Sequence, residues 1–380
     1  MRGRIVRRSP GSWTLVLDGL PDPVTGKRRQ VSQTVRGPKR EAERVLSELL
    51  SRRDRGAGVR PERLTVGEYL QQWSAALDIR VRPSSAVRYR GIVRAHLLPQ
   101  LGSIRLNRLT PAHVNGFMVD RLAAGCAPPT VCQLRAVLRT ALGDAVRADL
   151  VARNAAALAV PPRVPAPLVA PMDVPEATAI LAATAPTRVG PIVATALYTG
   201  LRRGEVLGLR WGDLDLEHGQ LRVAAAMQRI GGQFELVEPK SATSRRSVPV
   251  ATPLVSILRE RRKAQLEAQL RAGPAWVESI PGLIFTTALG RPVDGGELTK
   301  TFQAVCAAAG LPRRRFHDLR HGSATLLLAS GVDLKTVSAI LGHSTISLTA
   351  NTYAAVLPSL AADAMARLGA LLAPATAPAP

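Results

Sequence analysis

Six side chains in the second half of the 380-residue sequence could together carry out phosphoryl transfer: Arg202, Lys240, His317, Arg320, His343 and Tyr353. They fall in four segments that are more polar than their surroundings. In the first, Tyr198 to Trp211, Gly200 is placed to end one helix and Glu205 to stand in the first turn of the next. Arg202 lies at that joint, where Glu205 can hold its guanidinium. In the second, Lys240 sits between two β-like runs, 234–237 and 247–250, which reads as a hairpin turn. In the third, a spacing of three puts His317 and Arg320 on one helical face while Leu319 takes the inward side. In the fourth, His343 follows a glycine after the apolar helix Val337 to Leu341, and Tyr353 comes ten residues later.

The chemistry follows from the residue types. Arginine forks match phosphate oxygens bidentately and stay charged at any working pH. Fixed cations stabilise the equatorial oxygens of a transferring phosphorus, a task magnesium performs elsewhere. A tyrosine hydroxyl, with a pKa of ~10, needs such surroundings to become a nucleophile. A lysine on a turn can protonate a departing oxygen. Each segment alone has a plainer reading. Arg202 could be a surface arginine paired with a helix-start glutamate, Lys240 a basic turn, and Tyr353 a half-buried packing residue. His317 and His321 are spaced as two metal ligands, but no acidic or cysteine third ligand is suitably placed. It is the complete set that favours phosphoryl transfer, and no metal site is expected.

Several composition breaks show what must position these residues. Residues 1–60 alternate apolar and polar around Trp13 to Leu17, turn through Asp22-Pro23 and Thr25-Gly26, and resume near Val31 to Val35. Pro38 then opens a helix carrying Ala42, Val45, Leu46 and Leu49. Residues 62–160 read as all-helical. Thr65 and Glu68 form a capping-box pattern, Thr110-Pro111 starts a further helix, and a last helix from about Pro129 to Asp149 buries Val131, Leu134, Val137, Leu138 and Leu142. Residues 161–169 are a Pro-rich linker, 170–372 form a third domain, and 373–380 are an Ala/Pro tail expected to be disordered. The expected fold is multidomain and mainly α. It comprises a small N-terminal α+β module (a three-stranded sheet plus a helix), an all-helical block, and a mixed α/β, mostly helical last domain.

The net charge of +23, from 51 basic and 28 acidic residues, points to a polyanionic partner, nucleic acid before an anionic membrane. Residues 1–60 hold 15 basic and 6 acidic side chains, a net +9, with Lys27, Arg28 and Arg29 as candidate DNA contacts. That module could place strands in a DNA groove or simply cap the next domain. Arg80, Arg82, Arg88, Arg90 and Arg94 cluster around the second helix of the helical block, either as a solvated face or tracking phosphates. Aromatics make up only 3%, so the cores rest on Leu, Val and Ala. Three cysteines, Cys126, Cys132 and Cys306, are too few and wrongly spaced for a disulfide framework or a zinc site. No apolar run approaches the ~20 residues that span a bilayer, and no signal-peptide core follows the basic N-terminus. A cytoplasmic protein that does not engage membrane is therefore expected.

At the four segments the sequence resembles the tyrosine recombinase, or phage integrase, family. TGLRRGEVLGLRW, the Lys240 turn, HDLRHGSATLLL and LGHSTISLTANTY stand in the family's order and spacing. The resemblance covers the last domain throughout. It extends to the helical block as a SAM-like core-binding domain, and more loosely to the N-terminal piece as an arm-type DNA-binding module. It implies that Arg202 and Arg320 clamp a scissile phosphate, with Glu205 bracing Arg202. Lys240 would protonate the leaving 5′ oxygen, while His317 hydrogen-bonds the phosphate and helps take the tyrosine's proton. His343 would support the transition state, and Tyr353 would form a 3′-phosphotyrosyl link without ATP, metal or other cofactor. Arg203 and His321 would be neighbours of the site.

The resemblance further implies a site-specific recombinase acting on double-stranded attachment sites in a bacterial host, associated with the nucleoid. Its helical and last domains would clamp opposite faces of the duplex, and a homotetramer would hold synapsed DNA. An excisionase and a DNA-bending host factor are implied as further partners. A helix from about Leu357 to Leu372 would dock on a neighbouring protomer or pack on its own domain. The basic N-terminal module favours an integrase of a phage or other mobile element; a resolvase, invertase or transposon recombinase, and a non-catalytic DNA-binding protein, remain the alternatives.

Overall fold

A computed structural model describes residues 3–18, 30–54, 64–165, 171–238 and 245–342, together with 345, 350, 365, 368 and 369. The chain divides into two compact units, Met1–Ala166 and Pro167–Pro380, and the division falls in the Pro-rich stretch.

The first unit begins with the strands β1 (Arg4–Ser9), β2 (Ser12–Asp18) and β3 (Gln30–Arg36), paired antiparallel in that order, followed by helix α1 (Lys39–Asp54). Strand alternation turns Leu15 and Leu17 inward, where they are buried along with Ala42 of α1. Trp13 fixes the turn into α1 by donating its indole N–H to the Gly37 carbonyl at 3.0 Å.

The rest of this unit is helical: α2 (Val66–Ala75), α3 (Pro83–Ile92), α4 (Leu98–Leu101), α5 (Pro111–Ala123), α6 (Pro128–Arg147) and α7 (Ala155–Leu158), with a turn of π-helix over Val93–Leu97. The expected capping box opens α2. Glu68 N–H donates to the Thr65 hydroxyl at 3.2 Å, and the Thr65 N–H donates back to the Glu68 carboxylate at 2.8 Å. Thr110 caps α5 in the same way, with Pro111 at the first helical position, where its missing N–H costs nothing. The apolar stripe of α6 (Val131, Leu134, Val137, Leu138, Leu142) is fully inside. The Tyr69 hydroxyl donates to the Ala141 carbonyl at 2.6 Å and the Trp73 indole donates to Asp144 at 2.7 Å, which ties α2 to α6.

The second unit packs α8 (Val174–Thr184), α9 (Gly190–Thr199), α10 (Arg203–Leu207), α11 (Thr252–Ala272), α12 (Gly295–Ala308), α13 (Asp318–Ala329) and α14 (Leu334–Leu341) around short strands. The strands are β4 (Leu214–Asp215), β5 (Gln220–Val223), β6 (Ala226–Ile230), β7 (Gln233–Val237) and β8 (Arg246–Pro249). Sheet order is β4-β5-β8, with β6-β7 a separate two-stranded ribbon. This corrects one expectation. The runs flanking Lys240 do not pair with each other: β7 pairs with β6, and β8 reaches back to β5 with Leu221 opposite Val248. Lys240 itself, with the rest of 239–244, lies outside the described residues. The core is largely aliphatic, and its buried aromatic rings are Phe285, Phe302 and Phe316, the last two meeting edge to face at 5.8 Å. Among the described residues, no helix is long and apolar enough to cross a membrane.

Candidate active site

Helix α9 is buried on almost every side and stops at Gly200, whose φ of +65° is the left-handed conformation of a helix C-cap. No other residue fits there. A Cβ would stand 2.5 Å from Leu341 Cδ2 of α14 and 3.1 Å from Ser323 Oγ of α13. Three helices thus converge on one glycine, and the polar residues gather around it.

Arg202 is the residue before α10 and has extended backbone. Its N–H donates to Glu205 Oε2 at 3.0 Å, the backbone half of a capping box. Its Nη1 donates to Glu205 Oε1 at 2.8 Å, and its Nη2 donates to the Gly342 carbonyl at 3.2 Å. Glu205 is buried, and its second oxygen also accepts from Arg246 Nη2 at 3.1 Å. Burial alone would raise this carboxyl, but Arg246 and Arg202 beside it hold it below the usual carboxylate range, so it is ionised. Glu205 thus contacts Arg202 through both the backbone and the side chain.

Arg320 lies in the first turn of α13 and is only 3% exposed. A guanidinium so deep is tolerated only where acceptors meet it, and Nη1 donates to the Gly200 carbonyl at 2.8 Å. The two arginines are therefore anchored at the same joint. Arg202 follows Gly200 in the chain, and Arg320 bonds to its carbonyl.

His317 stands one residue before α13 rather than within it, still three before Arg320. It keeps an exposed face, and its ring meets His321 edge to face at 5.0 Å. Partial desolvation, followed by the neighbouring His321, Arg320 and Arg315, pushes His317 down to about 4. It is neutral at pH 7 and free to accept a proton. Desolvation also lowers His321. The arginines just upstream are structural. Arg315 grips Asp318 at 2.8 Å, and Arg314 makes a two-pronged pair with Glu176 at 2.7 Å on each arm. Arg203 turns away to the Gly295 carbonyl and Thr299, each at 2.9 Å.

Lys240, His343 and Tyr353 lie outside the described residues, as do Lys27, Arg28, Arg29 and most of the expected helix from Leu357 to Leu372. Glu238 and Gly342, which border Lys240 and His343, are placed. The other three tyrosines can be judged as nucleophiles. Tyr69 is tied to a carbonyl and pushed up to about 12, by burial first and then by Asp144. Tyr89 is stacked against Trp73. Tyr198 is exposed on α9, two residues before Gly200.

In the helical block, Arg80 pairs with Asp144 at 2.6 Å, and Arg90 pairs with Asp78 at 2.5 Å while also donating to the Ser74 carbonyl. Arg82, Arg88 and Arg94 are exposed. Arg80 and Arg90 thus carry ion pairs within the block, and Arg88 lies over the Tyr89 ring.

Arg246 was not singled out in the sequence. Two features could have marked it: the alternation through β8, which turns Arg246, Val248 and Val250 inward together, and its position just after the Lys240 segment. It donates to the Ile340 carbonyl at 2.6 Å as well as to Glu205. Two guanidiniums fixed at one helical joint, with a neutral imidazole nearby, form a set able to hold a phosphodiester and accept a proton.

Residues 171–359 match the Phage integrase family, and residues 65–120 match the phage integrase N-terminal SAM-like domain. A tyrosine recombinase XerC-like protein of Caldanaerobacter subterraneus subsp. tengcongensis is 30% identical over 351 residues, which are 88% of this chain and 90% of that one. Among solved structures, the Tn1549 transposon integrase in complex with transposon right end DNA superposes with a TM-score of 0.68 at 20% identity. The superposition covers 80% of this chain and all of that one. A lambda integrase tetramer bound to a Holliday junction gives a TM-score of 0.58 at 17% identity, covering 92% and 94%.

Proposed function

This chain belongs to the phage integrase family of tyrosine recombinases, and from that premise we propose that it breaks and rejoins double-stranded DNA through a 3′-phosphotyrosyl intermediate. The observation that carries the reading is the joint at Gly200, where Arg202 and Arg320 are both fixed. Both guanidiniums grip the scissile phosphate and stabilise the charge that grows on its equatorial oxygens. Tyr353 Oη attacks the phosphorus, with neutral His317 taking part in removing its proton. The bond to the 5′ oxygen breaks, Lys240 protonates that oxygen, and His343 supports the transition state. The products are a 3′-phosphotyrosyl link and a free 5′ hydroxyl. Attack by a 5′ hydroxyl from a partner duplex reverses the step, so bond energy is kept and neither ATP nor a metal is required.

Around this chemistry the reading assigns residues 1–60 to arm-type DNA contact through Lys27, Arg28 and Arg29. It assigns 62–160 to the core site, with Arg80, Arg82, Arg88, Arg90 and Arg94 along the backbone, and 170–372 to catalysis. Four protomers hold two duplexes, and the substrates are attachment sites of a phage or other mobile element, with an excisionase and a DNA-bending factor setting direction. The XerC-like relative and the DNA complexes of the Tn1549 and lambda integrases support this reading.

The test is capture of nicked duplexes with a randomised core, followed by denaturation. Wild type should retain DNA covalently. Tyr353→Phe, which loses only a hydroxyl, should retain none while binding DNA with nearly unchanged affinity. Equal retention by the two proteins would remove Tyr353 from the reaction.

A further inference from the structure

We infer that Arg246 is a positioning residue of this site, one that sets Arg202 toward the phosphate by occupying Glu205 and by anchoring the segment that leads to His343. The inference rests on the functional reading above.

Three contacts carry it. Arg246 Nη2 donates to Glu205 Oε2 at 3.1 Å, the oxygen that Arg202 uses only through its backbone N–H. Arg246 Nε donates to the Ile340 carbonyl at 2.6 Å, in the last turn of α14. Its guanidinium also lies against Gly342, where a Cβ would stand 2.8 Å from Nη1 and 3.0 Å from Cζ. Gly342 has left-handed backbone, φ +67°, and its carbonyl accepts from Arg202 Nη2. One guanidinium therefore joins the Arg202–Glu205 turn to the end of α14, one residue before His343. It does so from the first residue of β8, directly after the segment that holds Lys240.

Exposure separates the roles of the two arginines on Glu205. The Arg202 side chain is 40% exposed and can meet a substrate, whereas that of Arg246 is 8% exposed. With Arg246 on Oε2, the Arg202 side chain reaches Oε1 alone and its other arm rests on Gly342. Without Arg246, the Oε2 site opens. Arg202 can then take both carboxylate oxygens in the bidentate grip that guanidinium and carboxylate prefer, and turn away from the phosphate. A shift of that kind at a reacting centre lowers rate far more than affinity.

Arg246→Met keeps the apolar stem and removes the fork. Its single-turnover rate of covalent capture, on the duplexes that wild type captures, should fall about 100-fold, with DNA affinity within about threefold of wild type. Added to Arg202→Ala, the same change should cost nothing further, because it acts through Arg202. Arg246→Lys keeps a cation beside Glu205 without the fork, and should recover part of the rate. A rate near wild type in folded Arg246→Met would overturn the inference. So would a full second loss on the Arg202→Ala background, or a loss confined to affinity. If both Arg246 variants unfold, Arg246 is a residue of stability and the inference falls. If wild type itself captures no DNA, the functional reading fails first, and that outcome is distinct from all the others.

Discussion

Asp144 and Glu205 are both carboxylates seated against arginines in helical packing, one in each unit. Asp144 accepts from the Trp73 indole, pairs with Arg80 at 2.6 Å and is also met by Arg147. Its two arginines reach well into water, with side chains 43% and 70% exposed. Glu205 has one arginine that reaches out and one that does not. The first arrangement closes a helix pair, and both of its arginines can exchange the carboxylate for water. The second presents Arg202 on a support that solvent does not reach. Two carboxylate–arginine clusters of the same residue types thus differ in which partner is left open, and residue type alone does not decide it.

The largest test of this contrast is removal of each carboxylate. Glu205→Ala leaves the buried Arg246 without its counter-charge and should cost ~3–5 kcal/mol of stability, along with most of the capture rate. Asp144→Ala should cost ~1–3 kcal/mol, because Arg80 and Arg147 turn to water, and should leave the capture rate at saturating DNA unchanged. Urea unfolding and single-turnover capture on the two variants decide the matter. Equal losses of rate would erase the distinction.

A smaller effect concerns His317, depressed from its ordinary 6.5 to about 4. Between those values the unfolded chain binds the proton and the folded one does not, so stability falls as pH drops through this window. His317→Asn should flatten that slope of the thermal midpoint against pH, leaving a remainder from His321, which is shifted the same way. An unchanged slope would show that His317 is not held neutral. The smallest effect is expected on the first unit's surface. Arg94→Ala should weaken DNA binding regardless of sequence and reduce the log–log salt slope by about 1. An unchanged slope would leave Arg94 as solvated surface.

What could be read from the sequence follows the range of each interaction. The Thr65–Glu68 and Thr110–Pro111 starts, the Gly200 stop and the Arg202–Glu205 brace all act within a few residues, and the structure has them as expected. The apolar stripe of α6 was legible because a 3.6-residue period leaves a mark on its own segment. The pairing of β8 with β5 was not, because a two-stranded ribbon is inserted between them and nearest runs look like partners. The same holds for Arg246, whose partners Glu205 and Ile340 are 41 and 94 residues away, and for Arg320, which reaches a carbonyl 120 residues upstream. The helical period set His317 three residues before Arg320 as if both lay in one helix. It did not show that His317 sits before the helix, with a ring free to face His321.

If the proposed chemistry holds, Tyr353 becomes bonded to DNA at a 3′ phosphate. Covalent complexes of wild type can be digested with nuclease and protease and the modified peptide sequenced by mass spectrometry. The expected product is a nucleotide joined through its 3′ phosphate to Tyr353, with a free 5′ hydroxyl on the released strand. Attachment at the exposed Tyr198, or linkage through a 5′ phosphate, would contradict that chemistry.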